Sequence, residues 1–322
     1  MNMMDRIDPE LKAPLDGFLA ATNGGFNLHD IPGTRKGMEQ LMEAMMSQIP
    51  AIEGVKTEDR LVPGPTGAPQ VPVRIYQPTQ RADTLLPAML WIHGGGYVLG
   101  NVEQDDVSAK IMALTINCVV VSVEYRLAPE NPFPAPLEDC YAALKWLAAH
   151  TKELGIDKSR IAIGGASAGG GLTAGLALLT RDRAEVELAY QLLIYPMIDN
   201  ENVAPASGSL SDHFLWSRDN NIHGWESYLG GSAGKDVSPY AAPSRASDLK
   251  GLPSAYIAVG DLDLFLKEDL DYAARLNQAE VATEVHVYPG GYHGFNGFAP
   301  EADITKRFNA DRDNALKRAL HG

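Results

Sequence analysis

Short runs of apolar or alternating residues recur along the chain, and most of them are bounded by glycine or proline. Segments with helical spacing of apolar positions lie between them, and this succession is typical of a mainly parallel sheet covered by helices. We predict an α/β fold with strands near residues 71–76, 88–92, 118–123, 160–163, 190–195, 255–259 and 284–288.

Two segments indicate how the sheet and its helices pack. Residues 118–121 read Cys-Val-Val-Val, a continuous apolar run that predicts a central strand buried on both faces. Apolar residues spaced at i, i+3, i+4, i+7 and i+10 form one stripe of an amphipathic helix that we expect to lie on the sheet. These residues are Leu137, Cys140, Tyr141, Leu144 and Leu147.

Two regions interrupt the alternation of strands and helices. Residues 1–50 contain no clear strand, but their stretch GMEQLMEAMMSQ has a methionine-rich helical pattern. Residues 197–231 contain polar loop residues with isolated large apolar ones. The methionine and aromatic positions fit two interpretations, ordinary helix packing or a mobile lid that lines an acyl pocket.

The charge of the chain limits its possible partners. The formal net charge is −14 over 322 residues, and lysine and arginine are not clustered. Such a surface repels phosphate backbones and anionic lipid, so we predict neither a nucleic-acid partner nor membrane insertion.

The predicted location is the cytoplasm. The first twenty residues lack the basic start and apolar core of a secretory signal, and no apolar run approaches the roughly 18 residues of a membrane span. Cys118 lies in an apolar run and Cys140 on an apolar helical face, so we expect buried reduced thiols rather than a disulfide.

The segment Gly165-Ala166-Ser167-Ala168-Gly169 matches the pattern G-x-S-x-G. A predicted strand precedes it and helix-forming residues follow it, which is the strand-turn-helix context of a nucleophile elbow. A helix that begins here would direct its free N–H groups at the serine oxygen. The alternative is that Ser167 is only a small residue in a tight turn.

A serine hydroxyl needs a base to act as a nucleophile. In the topology that carries such an elbow the base follows the acid, which follows the nucleophile, and this order leaves His286, His293 and His321. His286 lies in a strand alternation and His321 at an end that we expect to fray, so we predict His293 as the base, with a purely structural histidine as the alternative. Asp261 and Asp263 follow a late strand, and position alone does not separate these two candidate acids.

A third motif, His93-Gly94-Gly95-Gly96, directly follows a predicted strand. Successive glycines allow the main chain to turn its N–H groups towards one point, where they and the N–H of Ala168 can bind an oxyanion. A phosphate-binding loop is the competing interpretation, but the Lys-Ser/Thr pair of a P-loop does not follow. We expect His93 itself to brace the loop.

These motifs together resemble the hormone-sensitive lipase family of α/β-hydrolases, in its bacterial carboxylesterase branch. The resemblance covers most of residues 70–295 and rests on HGGGYVLGN, VEYRLAPENPFPAPLEDCYAALKWL, IAIGGASAGGGL, LLIYPMID, GDLDLFLKEDLDYAARL and YPGGYHGF. It implies that Ser167 is the nucleophile, His293 the base and Asp263 the acid. It also implies oxyanion donors at the N–H groups of Gly95, Gly96 and Ala168, with Gly94 shaping the loop.

The chain departs from the family pattern at two positions. Ala166 stands where relatives usually carry aspartate, which leaves the elbow without that side chain. Lys267 stands where a second aspartate is common, so Asp261 stays a minority candidate for the acid.

The resemblance also implies an architecture. The expected sheet has about eight strands, and the catalytic core comprises residues 51–196 and 232–322. Residues 1–50 and an insertion at 197–231 are expected to form a helical cap, and homodimers are expected to join through the edge strand near residues 284–288.

We predict a serine carboxylesterase that hydrolyses short- to medium-chain acyl esters through an acyl-enzyme, with no metal or organic cofactor. One alternative is an amidase or formamidase with the same triad. The other is a non-catalytic small-molecule receptor on the same fold.

Overall fold

A computed structural model describes residues 3–46, 49–81, 84–203, 215–231 and 237–322 of the chain. Eight strands form one sheet in the order β1-β2-β4-β3-β5-β6-β7-β8. Strand β2 is antiparallel to both of its neighbours, and every other pairing is parallel. The strands are β1 (Val55–Val62), β2 (Val71–Pro78), β3 (Leu86–Ile92), β4 (Val119–Val123), β5 (Ile156–Ala166), β6 (Tyr190–Ile194), β7 (Ser254–Gly260) and β8 (Thr283–Tyr288).

The helices precede, cover and connect the strands. They are α1 (Pro9–Ala21), α2 (Ile31–Met46), α3 (Asp106–Ile116), α4 (Ala135–Ala149), α5 (Thr151–Leu154), α6 (Ala168–Arg183), α7 (Arg218–Tyr228), α8 (Leu266–Gln278), α9 (Phe295–Phe298) and α10 (Asp303–His321).

The sheet separates two hydrophobic layers because successive side chains of a strand point to opposite faces. On β3, Leu90 packs into a cluster with residues of α4 and α6, whereas its neighbour Met89 packs into a second cluster with residues of α3 and α10. Both side chains are fully buried. This two-sided burial accounts for the continuous apolar runs of the central strands.

The structure confirms the seven predicted strands, with ends that differ by a few residues. Strand β4 is buried along its whole length, and the predicted stripe on α4 is buried as well. Strand β1 is absent from the predicted set because its sequence VKTEDRLV is mainly polar and it pairs only with β2 at the sheet edge. Cys118 and Cys140 are buried free thiols, as expected.

The chain termini are better anchored than the sequence indicates. The predicted fraying at His321 is wrong, because α10 extends through this residue and its Nε2 lies 2.7 Å from the carbonyl oxygen of Ile116. At the other end, the expected helix at residues 37–48 is part of α2, and positions 47–48 lie outside the described residues. Over the described ranges, none of the helices has the length and apolar character needed to cross a membrane.

The segment after β6 is tied to both α8 and the loop after β3. The carboxylate of Glu268 accepts hydrogen bonds from the N–H groups of Ile198 and Asp199 at 2.8 and 3.1 Å. On α7, the ring of Tyr228 stacks on Tyr97 with centroids 3.9 Å apart. Residues 204–214, in the middle of the expected insertion, lie outside the described residues.

Candidate active site

Ser167 occupies the single position between the end of β5 and the start of α6. Its backbone has φ 57° and ψ −120°, a conformation that costs a non-glycine residue energy and persists only where its surroundings hold it. Its N–H donates to the carbonyl of Ile194, and its own carbonyl accepts from the N–H groups of Gly171 and Met197, each at 2.9 Å. Three hydrogen bonds therefore fix the strained turn.

The absence of a side chain at Gly169 brings α6 against the end of β3. A Cβ atom at Gly169 would lie 2.1 Å from the carbonyl oxygen of Ile92, which is far inside van der Waals contact. The glycine pattern that favours an elbow in the sequence therefore has a packing cause in the structure.

His293 stands on the loop after β8 and faces the serine. Its Nε2 lies 2.9 Å from Oγ of Ser167, and its Nδ1 lies 2.8 Å from Oδ2 of Asp263. A carboxylate can only accept, so Nδ1 carries the proton and Nε2 presents its lone pair to the serine hydroxyl. The three residues that the resemblance implies for the triad lie in one hydrogen-bonded chain.

The two candidate acids have different partners. The side chain of Asp263 is fully shielded from solvent, and its second oxygen accepts from the N–H of Phe265 at 2.9 Å. Asp261 instead binds the guanidinium of Arg6 at 2.9 Å and the N–H of Gly290 at 2.6 Å. Asp261 thus holds the N-terminal segment against the loop that leads to His293.

The remaining histidine candidates lie elsewhere. His286 is on β8, where its Nε2 lies 2.8 Å from the carboxylate of Glu284 and its ring stacks on Tyr256. His321 is at the end of α10. Of the three histidines weighed from the sequence, the structure brings only His293 to the serine.

The glycine-rich loop lies directly against the elbow. A Cβ atom at Gly94 would lie 2.9 Å from the carbonyl oxygen of Ala166, so only glycine permits this approach. Gly95 has φ +120°, a region that residues with side chains rarely adopt. Among the described residues, the N–H groups of Gly95, Gly96 and Ala168 have no hydrogen-bond acceptor, which leaves them available to an oxyanion.

His93 braces this loop in its neutral form. Burial lowers the pKa of His93 to about 4, and its Nδ1 donates to the carbonyl of Gly94 at 2.8 Å. The imidazole stacks on Tyr125 at 4.2 Å, and the hydroxyl of Tyr125 donates to the carbonyl of His93. These contacts agree with the structural role expected for His93.

Glu124 anchors the far end of the same loop. One carboxylate oxygen accepts from the N–H of Val102 at 2.7 Å. Partial burial raises the pKa of Glu124 from its ordinary 4.5 to about 7, an effect that the Val102 hydrogen bond opposes and the charge of Glu103 adds to. The sequence carries no signal for this role beyond a charged residue after an apolar strand.

Trp216 forms a wall beside the triad. It is buried, and a Cβ atom at Gly96 would lie 2.1 Å from its indole ring, so the indole covers the α-carbon of Gly96. The ring centroid lies 6.4 Å from that of His293, and Tyr195 and Phe265 contact the imidazole from other sides. The sequence analysis included Trp216 among the aromatic positions of residues 197–231 but did not single it out, and it missed Tyr195 and Phe265, which come from separate segments.

The departure at Ala166 leaves a small apolar side chain in the elbow. Its methyl group packs beside the second hydrophobic cluster, and Ala166 pairs with Ile194 at the end of β5. Hydrogen bonds of the main chain therefore hold the elbow at this point.

Chemically, the site combines a serine hydroxyl, an imidazole bonded to a buried carboxylate, and main-chain N–H groups without acceptors among the described residues. This set of groups is suited to acyl transfer. Within the described ranges, one group of three side chains is placed to share a metal ion. It consists of His29, Asp219 and His223, none of which belongs to the triad.

Comparisons with known proteins agree with this geometry. A family model described as alpha/beta hydrolase fold matches residues 89–297. The chain is 35% identical to carboxylesterase NlhH of Mycobacterium tuberculosis, over 98% of this chain and 97% of that protein. It is 31% identical to an arylesterase of Saccharolobus solfataricus, over 90% and 92% of the two chains.

Solved structures show the same relationship. A bacterial heroin esterase superposes with a TM-score of 0.93 at 40% identity and covers 100% of both chains. Esterase LipW from Mycobacterium marinum superposes with a TM-score of 0.87 at 36% identity, over 99% and 98% of the two chains. The α/β-hydrolase fold expected from the sequence is confirmed.

Replacing Glu124 by glutamine should change how stability depends on pH. The native carboxyl binds its proton more tightly than the unfolded one, so its contribution is full below about pH 4.5 and is lost as the pH rises through about 7. We expect the free energy of unfolding of the wild type, relative to Glu124→Gln, to fall across this range. Urea denaturation of both proteins between about pH 5 and pH 8 measures the difference.

The matched control is Glu301→Gln, because the side chain of Glu301 is 91% exposed. Its stability should follow the wild type at every pH. A difference between wild type and Glu124→Gln that stays constant with pH would contradict the prediction.

Proposed function

The chain belongs to the α/β-hydrolase family, in its hormone-sensitive-lipase-like branch, and on this basis we propose that it is a carboxylic ester hydrolase whose nucleophile is Ser167. The observation that carries the proposal is the unbroken chain of hydrogen bonds from Oγ of Ser167 through His293 to Asp263. Its relatives in the comparisons are named carboxylesterase, arylesterase and esterase, which supports the same reaction.

The reaction begins when Nε2 of His293 takes the proton of the Ser167 hydroxyl and Oγ attacks the ester carbonyl carbon. The N–H groups of Gly95, Gly96 and Ala168 donate to the oxyanion of the tetrahedral intermediate, and the start of α6 adds a positive dipole end. His293 then gives its proton to the leaving alcohol, and an acyl-enzyme remains on Ser167. The carboxylate of Asp263 stabilises the imidazolium that forms in this step.

Hydrolysis of the acyl-enzyme uses the same groups again. His293 takes a proton from water, the hydroxide oxygen attacks the acyl carbon, and the same N–H groups stabilise the second oxyanion. Collapse of the intermediate releases the carboxylic acid and returns the proton to Oγ of Ser167. The proton transfers between Ser167 and His293 use groups that already lie within hydrogen-bond reach of each other.

The acyl group is proposed to be of short to medium length. Trp216 limits the space above Gly96, and Phe26 from the N-terminal segment lies against the indole with ring centroids 6.2 Å apart. The N-terminal helices and residues 197–231 would together form the cap of the pocket. Trp216 is one of the aromatic residues of this segment, and its position beside His293 supports the proposal that the segment lines the acyl pocket.

Two alternatives share this scaffold. An amidase uses the same acylation chemistry, and paired ester and amide substrates with the same acyl group would distinguish it. A receptor that binds without turnover has no need of a complete triad, so the hydrogen-bonded triad favours the enzyme.

We also propose a homodimer and a cytoplasmic location. Strand β8 lies at one edge of the sheet, and Val285 and Val287 on it are exposed, which supports association through this edge. The free, buried state of both cysteines supports a reducing compartment.

Replacing Ser167 by alanine should abolish ester hydrolysis. Loss of the nucleophile is expected to reduce turnover by about 10⁶, as in other serine hydrolases. Turnover of p-nitrophenyl acetate measures this loss, and peptide mapping after reaction with a fluorophosphonate should find the label on Ser167. Ser108→Ala serves as the control, because the Ser108 hydroxyl bonds a main-chain carbonyl outside the site. Near-normal turnover by Ser167→Ala, or a label on another serine, would refute the assignment.

The substitution Asp263→Asn should lower kcat far more than Asp261→Asn. Asp263→Asn offers an amide to Nδ1 of His293 and disfavours the reactive tautomer, with an expected loss of about 10⁴ in kcat. Asp261→Asn alters only contacts to Arg6 and Gly290, so kcat should stay within about tenfold of the wild type while stability falls. Steady-state kinetics of both variants measure kcat. Equal reductions of kcat in the two variants would contradict the assignment of Asp263 as the acid.

Removing the indole of Trp216 should shift the preference for acyl length. Trp216→Ala opens space above Gly96, and each methylene that a hydrophobic pocket accepts changes specificity by about tenfold or more. We expect kcat/KM for p-nitrophenyl octanoate to rise relative to the acetate by at least that factor. Trp146→Ala is the matched control, since this indole is also buried but lies against His150. An unchanged ratio in Trp216→Ala would exclude Trp216 as a wall of the acyl site.

A further inference from the structure

Three side chains with metal-binding atoms meet on the surface of the described structure, away from the triad. They are His29, Asp219 and His223, called here the His29 cluster, and one ligand atom from each lies within 4.8 Å of the others. Nε2 of His29 lies 3.0 Å from one carboxylate oxygen of Asp219, and Nδ1 of His223 lies 3.7 Å from the other. The triad and its supporting loop do not use these residues.

Local structure brings the three residues together. Asp219 and His223 are separated by one turn on α7, so their side chains share one face of the helix. His29 lies in a single turn of 3-10 helix at 28–30, which Asn27 caps with its side chain. The rings of His29 and His223 lie 4.1 Å apart at 64°, with the carboxylate beside both.

The ligand types indicate which ion fits. Two imidazoles and one carboxylate suit zinc and similar divalent transition ions, whereas magnesium and calcium prefer oxygen ligands. Ligand atoms about 2.1 Å from a tetrahedral zinc ion stand about 3.4 Å from each other. The separations of 3.0 and 3.7 Å in the His29 cluster are of this size but run to different carboxylate oxygens of Asp219. Nδ1 of His223 also lies 2.9 Å from the main-chain carbonyl oxygen of Asp219, so this imidazole must turn from that carbonyl to bind the ion.

Access and charge also favour a cation. The side chains of His29 and Asp219 are 64% and 61% exposed, so an ion can enter from solvent and keep water as a fourth ligand. The net charge of −14 over the chain attracts cations. We propose that the His29 cluster binds one divalent transition-metal ion of the zinc class.

The ion would join two segments that are distant in sequence. His29 and Asp219 are 190 positions apart, and His29 belongs to the segment that contains Phe26, whose ring contacts Trp216. Trp216 stands two residues before the start of α7. A metal ion at the His29 cluster therefore clamps the N-terminal segment onto α7. Because the three ligands come together only in the folded protein, the ion also stabilises the folded state.

The test is titration of the metal-free full-length protein with zinc sulfate by isothermal calorimetry, in wild type, His29→Ala, His223→Ala and His321→Ala. His321 on α10 supplies the control, because it lies outside the His29 cluster and its imidazole contacts the main chain of Ile116. We expect one zinc ion per chain in the wild type and the control. Each cluster variant should bind zinc at least about tenfold more weakly, because loss of even an outer-shell partner of a metal ligand costs 10- to 100-fold.

Thermal unfolding gives a second readout, independent of any catalytic activity. Zinc should raise the melting temperature of the wild type and of His321→Ala but not of the two cluster variants, whose circular dichroism without zinc should match the wild type. Unchanged zinc affinity in either cluster variant would overturn the three-ligand site. Absence of saturable binding by the wild type at about 1 mM zinc, a weak limit for a specific site, would overturn the proposal as a whole.

Discussion

The close approach of α6 to the carboxyl end of β3 places Ser167 and the glycine-rich loop side by side. Gly169 permits this approach because any side chain there would collide with the carbonyl of Ile92. The same approach places Gly94 against the main chain of Ala166, and so sets the glycine-rich loop beside Ser167. The strained backbone of Ser167 is held by main-chain hydrogen bonds on both sides of the junction. Main-chain packing thereby positions the backbone of Ser167 and the N–H groups of the loop.

A second group of contacts holds the glycine-rich loop in place among apolar side chains. His93 is buried and neutral, and it uses its one donor on the loop itself. Glu124 holds the later part of the loop through the N–H of Val102. Tyr97, within the loop, donates to the carbonyl of Met197 and stacks on Tyr228 of α7. The loop is thus joined to the sheet on one side and to the segments above it on the other.

The sequence was sufficient for those parts of the site that depend on local geometry. The glycines around Ser167 and after His93 have fixed spacings, and the buried strands have long apolar runs, so both could be predicted. The polar edge strand β1 could not, because its stability comes from pairing with β2 rather than from its own pattern. The choice between Asp261 and Asp263 depends on which carboxylate faces His293, a property of the packed loop. Trp216, Phe265 and Tyr195 meet only through the tertiary fold, and no spacing in the chain reveals their contact.

The bond between Arg6 and Asp261 has a consequence for folding. The two residues are 255 positions apart in the sequence. Asp8 likewise pairs with Gly290, and Leu11 with Tyr292, next to His293. Contacts of such long sequence separation form late, because the chain between them must first be ordered. The loop that carries His293 is therefore expected to gain its contacts with residues 6–11 only after the intervening chain has folded.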